Sequence, residues 1–178
     1  MSEDEKLNLD KNTFATNIIL IDDGQSNIKS HYDRSGISSK ETSPADGRYN
    51  AYPVLVLDKP TKDGQIFTHA VVERALSRMH NVRRYGEEKL PPGNPTTHGE
   101  FVRFSTVEED SVSHVVHELA SLHEKVVYVY ARPLGKKAQV FEMLEEQGVV
   151  KLAMRAMGKV DENNVVTDLQ ILGFDLVR

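Results

Sequence analysis

At 178 residues the chain has room for one domain, with or without a tail, and for a sizeable core. Its net charge of −5 argues against broad binding to nucleic acid or anionic membrane. The absence of cysteine excludes a disulfide framework and a thiolate metal site, and no apolar run approaches membrane-spanning length.

The N-terminus, MSEDEKLNLDKN, lacks the basic and apolar blocks of a signal peptide, so an intracellular product is expected. Residues 1–13 read as a disordered acidic tail. Asn17 to Asp22 is a short apolar run suited to a strand or a docking segment. Asp23 to Tyr49 is rich in Ser, Asp, Gly and Lys without apolar periodicity, and reads as a long loop or an arm that orders on a partner. The expected division is a tail and arm over residues 1–48 and a folded domain over residues 49–178.

Within that domain, Tyr52 to Leu57 is a strand and Asp58 to Gly64 a turn. Thr68 is a candidate N-cap for a helix to His80, with Val71, Val72, Ala75, Leu76 and Met79 on one stripe. Val82 to Thr97, with its prolines and glycines, reads as an exposed loop. Phe101 to Ser105 alternates like a short strand. Val112 to Leu122 fits either period. Val126 to Tyr130 is β-branched or aromatic throughout and suits a strand buried on at least one side. Lys136 to Gln147 has helical spacing and Gly148 stops it. Val149 to Met157 and Val165 to Val177 read as strands joined by the polar turn Asp161 to Asn164.

Several residues invite a chemical reading. His114 and His117, with His123, would form a metal-binding face if Val112 to Leu122 were helical, although the spacing is not HExxH. His98 precedes Gly99 and Glu100 and is a candidate general base. Ser105, Ser111 and Ser113 are candidate nucleophiles by type, though none sits in a GxSxG elbow. Arg83, Arg84 and Lys89 around Tyr85 form a small basic and aromatic patch, read as a solvated loop on so acidic a chain. There is no GxGxxG or Walker sequence, and no cofactor is expected.

The order of elements from Tyr49 onward resembles the prohead maturation proteases of tailed phages, whose fold is related to herpesvirus assemblin. Gly99-Glu100 is similar to the Gly-Glu segment that precedes the family's catalytic histidine. Arg155 and Gly158 fall where the family has an Arg and a Gly, and Gly173-Phe174-Asp175-Leu176-Val177 is similar to its closing sequence. The resemblance implies an α+β fold with a mainly antiparallel, barrel-like sheet and two packed helices. It also places the family's nucleophilic serines on Ala153 and Met154 and its histidine on Val102 or Arg103. Neither Ala153 nor Met154 can attack a carbonyl. What it implies is a virion or head-assembly protein that has kept a protease fold without its chemistry. Its partners would be protein subunits of a virion or assembly intermediate, in a homo- or hetero-oligomer. It would be located in the host cytoplasm and then in the virion. An active serine protease using His98, and a metal-dependent enzyme or sensor using His114, His117 and His123, are the alternatives.

Overall fold

The computed structural model describes residues 6–19, 49–79 and 84–178, apart from the side chains of Glu118, Leu119 and Ser121. Residues 23–48 of the expected arm lie outside the described residues. Strands β1 (Thr13–Ile18), β6 (Leu152–Val160) and β7 (Val166–Leu176) form one antiparallel sheet in the order β1-β6-β7. Strands β2 (Asn50–Val56), β3 (Arg84–Glu87), β4 (Val112–His123) and β5 (Val126–Pro133) form a second, in the order β2-β5-β4-β3. Among the described residues three α-helices accompany them: α1 (His69–Ser77), α2 (His98–Ser105) and α3 (Ala138–Glu146). No helix among the described residues is long and apolar enough to cross a membrane.

The class is α+β and antiparallel, but among the described residues neither sheet closes into a barrel, and three α-helices occur where two were expected. The folded unit also begins upstream of residue 49. Thr13 to Ile18 pair with Lys159 to Met154 as an edge strand, and Leu7 N–H donates to the Thr96 carbonyl at 2.9 Å.

The main core lies between the inner faces of the two sheets. Val127, Val129 and Ala131 of β5 meet Leu152, Met154 and Ala156 of β6 and Ile171 and Phe174 of β7, with Val71, Val72 and Ala75 of α1 and Phe141 of α3 closing it. Period-two alternation puts Val126, Tyr128 and Tyr130 on the other face of β5. They are buried too, with Tyr49, Ala51 and Val115. A strand apolar on both faces therefore runs through the middle of the second sheet.

One expectation changes type, and one reading left open between two periods is decided. Phe101 to Ser105 lies in a helix, because Thr97 and Glu100 form a reciprocal capping box. The Thr97 hydroxyl accepts from Glu100 N–H at 3.2 Å, and the Glu100 carboxylate accepts from Thr97 N–H at 3.2 Å and Thr96 N–H at 2.7 Å. Val112 to Leu122 is strand, not helix. The stretch read as a loop from Val82 to Thr97 contains β3. The hairpin of β6 and β7 turns as expected, on Asp161, whose side chain accepts from Asn163 and Val165 N–H at 2.8 and 3.0 Å.

The edge strands β3 and β7 lie side by side without a ladder. Side chains bridge this seam. Glu87 N–H donates to Asp175 Oδ1 at 3.1 Å, and His114 reaches across to the Phe174 carbonyl at 2.8 Å. Gly86 makes room for that histidine: a Cβ there would sit 1.9 Å from His114 Nε2.

Candidate functional site

The seam brings together the positions that the family resemblance singles out. Ala153, Met154 and Arg155 lie near the start of β6, opposite Asp175, Phe174 and Gly173 of β7. Ala153 and Met154 are buried, Met154 in the main core. Ala153 shares a face with Arg155 and Asp175, since directly paired residues and residues two apart point the same way.

Arg155 is 1% exposed and organises the site. Its Nε and Nη2 clasp Asp175 Oδ2 and Oδ1, each at 2.7 Å. Nη2 also donates to Glu87 Oε2 at 2.5 Å, and Nη1 to the carbonyls of Phe104 and Thr106 at 3.0 and 2.7 Å. A guanidinium has five N–H donors, and these five bonds use all of them. Arg103, projecting from α2, grips the other side of Glu87 at 2.8 and 3.1 Å and Glu108 at 3.1 Å. The result is a chain of alternating charge, Arg103–Glu87–Arg155–Asp175, that ties α2, β3, β6 and β7 together.

Burial draws the Arg155 guanidinium down. Asp175 and Glu87 more than offset this, so it is held above the ordinary arginine value. Burial pushes the Asp175 carboxyl up, against Arg155 and the Glu87 amide, which pull it down.

One histidine meets one serine here. Ser113 Oγ lies 2.8 Å from His114 Nδ1, and His114 Nε2 lies 2.8 Å from the Phe174 carbonyl oxygen. A carbonyl only accepts, so Nε2 carries the proton and Nδ1 accepts from the Ser113 hydroxyl. Both residues are 0% exposed, and His114 packs against the Phe141 ring at 5.0 Å. Burial pushes His114 down to about 4. It is a weak base, sealed from any peptide.

The other expected participants lie apart. His98 is the first residue of α2. Ser105 Oγ donates to the Val102 carbonyl at 3.2 Å and Ser111 Oγ to Glu108 at 3.5 Å. Of the two positions that would carry the family's histidine, Val102 is exposed and Arg103 is committed to Glu87 and Glu108. The metal face of His114, His117 and His123 does not form. On a strand, His114 and His117 face opposite ways: His114 points to the seam, while His117 meets the Tyr49 ring at 5.0 Å. No group of three metal-binding side chains occurs among the described residues.

Sequence reasoning missed Glu87, the hinge of the network. It stands in a stretch dominated by Pro and Gly, and its partner Arg155 is 68 positions away. An acid between Gly86 and Glu88 in a run of charged residues carries no local signal of that pairing.

No protein-family model and no curated protein matches the chain. Among solved structures, the fold is similar to that of the capsid assembly protease of bacteriophage T4. The TM-score is 0.56 with 16% identity, over 73% of this chain and 81% of that one. At this identity the likeness is one of fold: the chain has an α+β architecture resembling a phage capsid assembly protease.

Proposed function

We propose that the chain is a non-enzymatic protein of phage head assembly, built on a protease-like fold and binding neighbouring virion subunits. The observation that carries this reading is the Arg155 network. It fills the seam where the resemblance sets the family's reactive groups, with Ala153 and Met154 buried beside it and Arg103 locked onto Glu87. A fully bonded guanidinium between two carboxylates has no free donor for a developing oxyanion and nothing nucleophilic within it. Ala153 and Met154 offer no hydroxyl. Such a centre holds a fold together rather than turning over a substrate.

A second reading rests on a specific contact, the 2.8 Å approach of Ser113 to His114. It would make the chain a maturation serine protease with displaced residues, His98 being the other candidate base. Burial of both partners speaks against it. Incubation of the purified chain with capsid and scaffolding proteins of its own phage separates the readings. The structural reading expects co-sedimentation with assembled heads and no cleavage. Cleavage that disappears with His98→Ala or His114→Ala would reverse it.

A further inference from the structure

Strand β1 is an edge of the first sheet, and an edge strand presents a row of backbone groups that its sheet does not pair. The register says which groups these are. Val160 N–H donates to the Asn12 carbonyl at 3.0 Å, so the residues that bond to β6 are Asn12, Phe14, Thr16 and Ile18. Thr13, Ala15 and Asn17 turn their N–H and C=O groups outward. Two of them show it: Thr13 N–H donates to the Asp10 carbonyl at 2.9 Å, and the Ala15 carbonyl accepts from Asn94 N–H at 2.6 Å.

What covers this row is the stretch from Leu90 to Thr97, LPPGNPTT. It runs antiparallel to β1, with Asn94 beside Ala15 and Pro91 beside Asn17, whose Nδ2 donates to the Pro91 carbonyl at 3.3 Å. Gly93 allows the approach: a Cβ there would sit 3.0 Å from Thr16 Oγ1 and 3.2 Å from the Ala15 carbonyl oxygen. Yet the cover cannot become a strand. Pro91, Pro92 and Pro95 lack an N–H, Asn94 sits at a φ of 52°, and the N–H groups of Thr96 and Thr97 go to the Glu100 carboxylate. Among the described residues, one backbone hydrogen bond joins it to β1. At the Asn17 end the fit is loose: a cavity of about 240 Å³ opens between Asn17, Ile19, Leu90 and Pro91, and Asn17 Oδ1 is buried without a donor. Pro92, Gly93, Asn94 and Thr96 are exposed, so the outer side of the cover faces solvent.

An uncovered β1 edge would suit a second copy of itself. Antiparallel pairing about a two-fold axis at Ala15 sets Ala15 opposite Ala15 of the second copy, and Thr13 opposite its Asn17. Every outward donor then meets an outward acceptor. We propose that Leu90–Thr97 is a displaceable guard that keeps β1 from pairing with β1 of a second copy. This goes beyond the subunit-binding reading and holds whether or not the chain cleaves protein.

Sedimentation of the full chain over a range of concentrations tests this. Asn94→Pro removes the donor to Ala15 and forbids the φ of 52°, since Pro holds φ at about −65°. Gly93→Val pushes the guard away from Thr16 by bulk alone and keeps the test available if Asn94→Pro does not fold. Gly86→Ala, at the seam on the opposite side of the first sheet, controls for loosening in general. The expected result is a discrete species of about twice the native mass in Asn94→Pro and Gly93→Val, growing with concentration, and none in Gly86→Ala. Native mass in both guard variants, doubling in Gly86→Ala as well, or open-ended aggregation would overturn the proposal. The native chain offers a check that needs no variant: its Asn94 amide should exchange with solvent at least about tenfold more slowly than an unbonded amide. Exchange at the unbonded rate would mean that the guard is not seated on β1, and would overturn the proposal equally.

Discussion

Arg155 is charged at any ordinary pH, so the carboxylates around it act as its permanent counterions. Removing one member of a buried, fully bonded ion cluster is costly because it strands the others. Arg155→Met leaves Asp175 and Glu87 facing each other in the interior, and is expected to cost about 3–5 kcal/mol of stability. Urea unfolding measures this; a loss under about 1 kcal/mol would mean that the network is incidental to the fold. His114 acts through pH. Its folded value, about 4, lies below the ordinary 6.5, so the unfolded chain takes up the proton first. Its contribution is fully present above about pH 6.5 and fades as the pH falls towards 4, by about 3 kcal/mol in total. Comparing unfolding curves at pH 7 and pH 4.5 for the native chain and His114→Gln checks this. The native chain should lose more stability on acidification than the variant.

The seam between β3 and β7 is built on one glycine more than another. At Gly86 a Cβ would lie 1.9 Å from His114 Nε2 and 2.2 Å from the Phe174 carbonyl oxygen, which belongs to the backbone and yields little. At Gly173, across the same seam, the nearest atom is the Tyr85 carbonyl oxygen at 3.7 Å. Gly86→Ala should therefore lower stability by about 1–3 kcal/mol or more, and Gly173→Ala should stay within about 0.5 kcal/mol of the native chain. Thermal unfolding of the pair reads the difference, and equal effects would mean that His114 does not fill the seam as described. Elements with one unambiguous period were legible from the chain alone, as α1, α3, β2 and the hairpin of β6 and β7 show. The sequence of α2 did contain its signal, the Thr97 and Glu100 capping pair, but five alternating residues from Phe101 suit a strand just as well. For β4, burial on both faces erased the alternation that marks a half-exposed strand.

At the scale of the molecule, the resemblance of element order led to the right class of fold and to Arg155 and Asp175. Their joint role rests on contacts between distant positions, including Glu87, that no local pattern announces. The open seam was equally hidden. Whether sheets close into a barrel depends on how edge strands meet, and here side chains take the place of a β3–β7 ladder. These features make one claim about the whole: a protease-like architecture whose centre is a structural ion network. Serine-directed fluorophosphonate labelling of the purified chain, followed by intact-mass analysis, tests that claim most directly. The account predicts no adduct on any serine over the pH range in which the chain is folded. A stoichiometric adduct on Ser105, Ser111 or Ser113, abolished by His98→Ala or His114→Ala, would contradict it and identify a working nucleophile.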